Sequence, residues 1–270
     1  MRKPITALLF ALLCLGSTAA CGQNESAAPA EPTNSEAAAP ETVAPEPVEP
    51  DPAELYVNNL PIEAQVAQMF FARCPEVDAA ALAGQYDIGG YILFGRDFEG
   101  QTRESVTETI QSYQDAAATP MLIGVDEEGG TVVRISSNPN FRASKFRSPQ
   151  SLYNEGGFGL ITSDTKEKDA LLASIGVNVN FAPVCDVSTN PNDFMNARSF
   201  GKDASQTSEF VRTVVGQMLA DNTGMVLKHF PGYGSNVDTH TGIPIDERPL
   251  ETFRESDFLP FQAGIAAGAQ

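Results

Sequence analysis

Short runs of Val, Ile, Leu and Met recur along this chain, and each ends in a polar or glycine-rich loop. Met121-Leu122-Ile123-Gly124-Val125 runs into Asp126-Glu127-Glu128-Gly129-Gly130, and Met225-Val226-Leu227 runs into Lys228-His229-Phe230-Pro231-Gly232-Tyr233-Gly234. Apolar runs without strict alternation suit strands buried on both faces, as in parallel sheets covered by helices. The runs predict strands over 69–72, 88–94, 121–125, 177–184 and 225–227. Helical spacing predicts helices over 61–67, 77–83, 102–118, 164–175, 208–220 and 250–267, the last broken or kinked at Pro260. Residues 138–159 and 186–203 read as loops. Alternation of strand and helix makes this an α/β fold. No glycine-rich dinucleotide loop opens a helix, and every polar constellation falls just after a strand, which favours a TIM-type (β/α)8 barrel over a doubly wound sheet. Only about the first five strand-helix units of such a barrel can be found in the 270 residues.

The N-terminus reads as targeting rather than fold. Arg2 and Lys3 precede an apolar stretch from Ile5 to Leu15, too short to span a membrane as a helix. Thr18-Ala19-Ala20-Cys21 resembles a bacterial lipobox, so residues 1–21 are expected to be a signal peptide ending at Cys21, the lipidated residue. Ordinary secretion with cleavage after Ala20 is the alternative. Residues 22–54 are rich in Ala, Pro and Glu, carry eight carboxylates and contain no Lys or Arg. Such a segment cannot bury a core and is expected to be a disordered spacer. Together these features predict an extracytoplasmic cell-surface lipoprotein that touches the membrane only through its anchor. The net charge of −18 argues against nucleic acid as a partner. Beyond Cys21, Cys74 and Cys185 are the remaining thiols of the mature chain, and they can pair or stay free and buried. Residues 55–270 are long enough for one domain with a substantial core.

Three constellations carry chemistry. Asp126-Glu127-Glu128-Gly129-Gly130 with Arg134 can present a carboxylate to sugar hydroxyls, although an acidic surface turn with a neighbouring Arg would look the same. Arg198, in Asn196-Ala197-Arg198-Ser199-Phe200-Gly201, is either a substrate-facing hook or an ordinary surface residue. The densest is Lys228 to His240, which holds both histidines of the chain. Asp238 and His240 stand two residues apart, and an Asp beside a His can set the imidazole tautomer for proton transfer near neutral pH. Structural histidines or a zinc site are the competing readings, but no metal-ligand spacing supports the second. No metal or organic cofactor is expected, and no nucleophile-elbow motif is present.

Together with Gln68-Met69-Phe70-Phe71 and Asn180-Phe181-Ala182-Pro183-Val184-Cys185-Asp186-Val187, these segments resemble glycoside hydrolase family 3, and within it the β-N-acetylglucosaminidase branch. The resemblance runs in order from Leu55 to Gln270. It implies a (β/α)8 barrel that hydrolyses terminal β-N-acetylglucosaminides of amino-sugar oligosaccharides or peptidoglycan fragments with retention. It further implies that Asp126, Arg134, Arg198, Lys228 and His229 hold the sugar, and that Asp238 and His240 form the acid/base pair. Two positions depart from the family pattern. The Lys228–Asp238 loop is one residue shorter than the commonest version, and Tyr233 stands where His is frequent. The family's nucleophile is an Asp on a later strand, so no residue up to Gln270 is assigned that role. Residues 261–269 read as the helix before a sixth strand. A five-strand piece would leave open parallel edges, and the 270-residue chain by itself is expected to be poorly stable and inactive. On the same fold a β-glucosidase, β-xylosidase or phosphorylase is the alternative. In another class, so is a non-catalytic sugar-binding lipoprotein.

Overall fold

The computed structural model describes residues 51–270; the expected signal segment, the lipidation site Cys21 and the spacer up to Pro50 lie outside the described residues. Five strands form one sheet: β1 Phe71–Arg73, β2 Gly90–Leu93, β3 Leu122–Val125, β4 Val179–Asn180 and β5 Gly224–Met225. Their order is sequential, β1-β2-β3-β4-β5, and every pairing is parallel. A doubly wound sheet reverses its strand order at a switch point. Here each crossover returns beside the strand it left, which is how a barrel winds. These are five β/α units of a (β/α)8-type barrel.

Helices cover the sheet: α1 Pro52–Asn59, α2 Ile62–Gln68, α3 Ala79–Tyr86, α4 Gly95–Phe98, α5 Arg103–Ala116, α6 Pro149–Ala173, α7 Ala204–Ala220, α8 Leu250–Thr252 and α9 Phe258–Ala266. Their starts follow local chemistry. Thr102 caps α5 by accepting from Ser105 N–H, Asp203 caps α7 by accepting from Gln206 N–H, and Ser148 caps α6 ahead of Pro149. Val106, Ile110 and Tyr113 bury one face of α5 against Tyr91, Leu93, Ile123 and Val125 of β2 and β3. Phe210, Val211, Val214 and Val215 of α7 pack with Leu152, Phe200 and Phe261 in a second core. Each such fully buried side chain contributes roughly 1.5–3 kcal/mol. Gly124 on β3 makes room at the sheet surface. A Cβ there would come within 2.4 Å of the Phe181 ring, which meets Phe71 edge to face at 5.1 Å.

Several element boundaries differ from expectation, each for a local reason. The first strand lies at Phe71–Arg73 rather than 69–72, because α2 runs on to Gln68 and Met69 N–H still bonds the Val66 carbonyl. Residues 149–159, expected in a loop, open α6; Gly157 departs from helical geometry inside it, at φ 60° and ψ −154°. The glycine-rich composition of that stretch hid a Ser-Pro helix start. The strand expected over 177–184 narrows to Val179–Asn180, since Ala182 N–H turns back to the Asn180 carbonyl and Pro183 has no N–H to resume the ladder. The C-terminal helix runs without a gap from Leu250 to Ala266 and widens into a π-helical turn over Phe253–Asp257, just before Pro260. Pro260 follows that wider turn, a common place for a helix to absorb a residue that lacks an N–H. Helices α1 and α4 had no counterpart among the expected elements. Cys74 and Cys185 are both free and buried.

Phe200 links this packing to the chemistry, because it anchors the loop that carries Arg198. It is fully buried, stacks on Phe210 at 4.8 Å and meets Tyr153 edge to face at 4.9 Å. Phe200→Ala should lower stability by about 3–5 kcal/mol in urea titrations. An effect under about 1 kcal/mol would show that the ring is not a keystone of this core.

Candidate active site

The register of the sheet decides which residues meet. Val125 pairs with Asn180, and Asn180 pairs with Met225, so the residues just beyond these strand ends converge on one face. Val184 then bridges to Lys228, carrying that lysine beside the turn that follows β3. Lys228 Nζ lies 2.6 Å from Asp126 Oδ1 and 2.6 Å from Glu128 Oε1. Arg198 grips the same Glu128 with two donors, Nε to Oε2 at 3.0 Å and Nη2 to Oε1 at 2.7 Å. Arg134 approaches Asp126 from the other side, with Nη2 3.8 Å from Oδ2, and its Nε is buried without a partner.

The turn that presents these carboxylates is built from the inside. Glu127 is fully buried and accepts from the backbone N–H groups of Arg134, Ile135 and Ser136. Asn180 holds its backbone at both ends, Nδ2 donating to the Glu127 carbonyl and Oδ1 accepting from Glu127 N–H. Lys168 Nζ donates to the Glu128 carbonyl at 3.3 Å and pairs with Asp164 at 3.4 Å. Gly129 and Gly130 follow at φ 97° and 67°; a Cβ on Gly129 would meet the Arg147 carbonyl at 2.3 Å. Only glycine combines that conformation with that approach.

Burial disfavours the Glu128 carboxylate, but Arg198 and Lys228 more than offset it and hold its carboxyl below the usual carboxylate range. Burial opposes the Arg198 charge too, and Glu128 outweighs it, raising the guanidinium above its ordinary value.

A further carboxylate, Asp186, organises the next loop. It is 1% exposed and accepts from His229 N–H at 3.1 Å, His229 Nδ1 at 2.7 Å and Tyr233 N–H at 2.8 Å. Arg198 Nη2 lies 3.1 Å from His229 Nε2. An arginine can only donate, so Nε2 accepts and the proton sits on Nδ1, facing Asp186. The peptide bonds Lys228–His229 and Phe230–Pro231 are cis. Asp126, Arg134, Arg198, Lys228 and His229, proposed from sequence as sugar contacts, are thus one connected cluster.

Asp238 and His240 form a second unit. His240 Nδ1 lies 2.6 Å from Asp238 Oδ1, and the same oxygen accepts the His240 backbone N–H at 2.9 Å. Those backbone and side-chain bonds from His240 hold the Asp238 carboxyl below its usual range. With Nδ1 turned to the carboxylate, Nε2 faces away from Asp238. The His240 side chain is 82% exposed, and among the described residues no hydrogen bond or ion pair joins it to the cluster around Glu128. The Arg198 charge reaches Asp238 through space only.

Sequence reading did not single out Glu127, Glu128, Asn180 or Asp186 as site residues. Each lies inside a quoted motif just after or at the end of a strand, and that position was the available signal. Glu128→Gln should keep the side-chain shape while removing the charge that Arg198 and Lys228 share. The folded protein releases this proton before the unfolded chain does. The stabilisation is therefore complete above the unfolded pKa of about 4.3 and is lost as pH falls through the lower folded value. Urea midpoints should place the variant about 3–5 kcal/mol below wild type near neutral pH, with the gap narrowing below about pH 4. A gap independent of pH would remove Glu128 ionisation from the account.

The profile of the glycosyl hydrolase family 3 N terminal domain matches residues 61–270. Among curated proteins, the chain is 34% identical over 198 residues to Beta-hexosaminidase A of Pseudoalteromonas piscicida, covering 70% of this chain and 33% of that protein. It is 35% identical over 190 residues to the Beta-hexosaminidase of Xylella fastidiosa (strain M12), covering 67% of this chain and 54% of that one. The chain thus spans between a third and about half of the length of these relatives. Among solved structures, a family 3 β-N-acetylglucosaminidase from Paenibacillus sp. str. FPU-7 superposes with a TM-score of 0.70 at 27% identity, over 78% of this chain and 41% of that one. A GH3-family glycosyl hydrolase from Mycobacterium smegmatis gives 0.68 at 25% identity, over 78% and 63%.

Proposed function

The chain belongs to glycosyl hydrolase family 3, and on that premise we propose that the whole protein releases terminal β-N-acetylglucosamine from amino-sugar oligosaccharides or peptidoglycan fragments, with retention of configuration. The observation that carries this reading is the pairing of a buried, charge-compensated cluster at the strand ends with an exposed Asp238–His240 pair on the loop after β5. Its relatives with matched sequence are named β-hexosaminidases, which supports the amino-sugar over the plain glucoside.

In this proposal Asp126 accepts sugar hydroxyl protons while Lys228, Arg198 and Arg134 donate to sugar oxygens, and the His229 ring, whose one N–H is held by Asp186, borders the sugar with Nε2 as an acceptor. Holding these groups in fixed positions lowers the cost of orienting the substrate. His240 protonates the departing glycosidic oxygen from Nε2 as a carboxylate attacks the anomeric carbon. It then takes the proton of the water that hydrolyses the glycosyl-enzyme. Asp238 remains anionic and supports the imidazolium that precedes the first step and is restored by the second, while the imidazole is neutral in between. We assign the nucleophile to a carboxylate beyond Gln270, and none of residues 1–270 to that role.

The whole protein should hydrolyse a chromogenic N-acetyl-β-glucosaminide in preference to the matching β-glucoside, and residues 22–270 alone should not turn it over. His240→Ala should lower kcat by about 10²–10⁴-fold. Unchanged turnover in that variant, or a preference for the glucoside, would refute the assignment; robust turnover by residues 22–270 would refute the external nucleophile.

The proposal extends to location. The Cys21 motif and the acidic spacer support an extracytoplasmic lipoprotein. Labelled palmitate should enter the bacterial product and be lost in Cys21→Ser. A secreted, unlabelled wild type would indicate cleavage after Ala20 instead.

A further inference from the structure

Tyr233 is one of the two places noted above where the sequence departs from the pattern it resembles, and none of the roles assigned above uses it. Its hydroxyl lies 2.6 Å from the hydroxyl of Thr239, the residue between Asp238 and His240. The surroundings give this bond weight. Among the described residues, it is the one hydrogen bond that joins residues 237–245 to the rest of the protein. Every other bond in that segment is internal, such as Thr241 N–H to the Asp238 carbonyl. Packing does not hold the segment either. None of its residues is buried, and Val237, Ile243 and Ile245 are 64%, 96% and 82% exposed.

The other end of the link is anchored. Tyr233 N–H donates to Asp186, the 1%-exposed carboxylate that also holds His229. The Tyr233 ring meets His229 edge to face at 5.5 Å and lies 5.7 Å from Phe194. Gly232 and Gly234 flank it at φ 114° and 57°. Gly232 backs onto Asp257, where a Cβ would come within 2.4 Å of Oδ1, and Arg248 binds both that carboxylate and the Gly232 carbonyl. Thus Tyr233 rises from a rigid base and reaches a segment that has little else to hold it.

We propose that Tyr233 is a positioning residue for proton transfer, a hydroxyl latch that fixes Asp238 and His240 over the sugar-contact cluster through Thr239. The role as a whole rests on the reading of His240 as the acid/base. The latch connects the two units of the site through one buried carboxylate. Asp186 orients His229 with one oxygen and the Tyr233 backbone with the other. Thr239 sits next to both members of the proton-transfer pair, so its displacement moves both. A phenol suits this task because its ring is stiff and its hydroxyl both donates and accepts.

The ring signals of His229 and His240 can each be followed in the histidine-labelled whole protein by two-dimensional carbon–proton NMR, assigned with His229→Gln and His240→Gln. Tyr233→Phe removes the hydroxyl and keeps the ring. The expected result is a shift of the His240 signals toward those of an unstructured peptide, with about 10-fold faster amide exchange at Thr239 to Thr241. His229 signals and the thermal midpoint should stay in place, which a general loosening of the loop base would not allow. Thr239→Val should reproduce the effect, and Thr239→Ser, which keeps the hydroxyl, should not. His240 signals and exchange rates unchanged in both Tyr233→Phe and Thr239→Val would overturn the latch, as would equal shifts of His229 and His240. In the active whole protein, Tyr233→Phe should lower kcat with KM unchanged; the reverse split would assign Tyr233 to sugar binding instead. Lack of turnover by wild type would count against the glycosidase reading alone, because the spectra judge the latch without any hydrolysis.

Discussion

Two neighbouring carboxylates, Asp126 and Glu128, share the turn after β3, and Lys228 makes that arrangement tolerable by lying 2.6 Å from each. Like charges this close raise one another's energy, and burial raises it further. Arg198 completes the compensation with its two-pronged grip on Glu128. The charges come from three different strand-end loops, and Lys228 is 102 residues from Asp126 in sequence. The cluster therefore exists only when β3, β4 and β5 lie side by side in register. In this way the site reports on the fold, and the fold is in turn tightened by the site. Such compensated networks hold their members in place, since releasing any one leaves another charge unpaired in a poor solvent.

Much of this was visible in the chain before any coordinates. Unalternating runs such as Met121 to Val125 marked parallel strands, and polar residues just after them marked the mouth of a barrel. Sequence order then became spatial order in the sheet. What escaped were features in which one residue type has two uses. Gly156, Gly157 and Gly159 made the start of α6 look like a loop, although Ser148-Pro149 is a sound helix start. Val177 to Val184 looked like a long strand, whereas the ladder is two residues long and the rest of the run supplies site backbone. The supporting carboxylates were harder still. Nothing in composition separates Glu127, which knits a turn from inside, from Glu128, which is clamped by cations. Both follow Asp126, and only their opposite directions from the backbone tell them apart.

The site divides by rigidity as well as by role. Glu128 and Lys228 are buried and bonded to each other, with Arg198 closing on Glu128, while the Asp238–His240 pair stands on a segment with no buried side chain. That division suits a reaction in which one group acts twice. A residue that gives a proton to a leaving oxygen and later takes one from water must meet two partners in turn. Sugar contacts gain from being fixed before the substrate arrives, because orientation then adds no cost at the moment of reaction.

A segment that is too free, however, would lose that benefit, since a shift of about 1 Å in a proton-transfer group can cost about 100-fold in rate. The structure answers this with one short tether from a well-buried base. Asp186 is the pivot: it sets the tautomer of His229 and carries the backbone of Tyr233, whose hydroxyl meets Thr239. A histidine at position 233 would offer the same backbone N–H to Asp186. Its ring, however, is shorter than a phenol and places no hydroxyl at the distance of Thr239. The departure from the family pattern at Tyr233 and the Thr at 239 are therefore best understood together, as two halves of one bond that compensates for an otherwise unsupported loop.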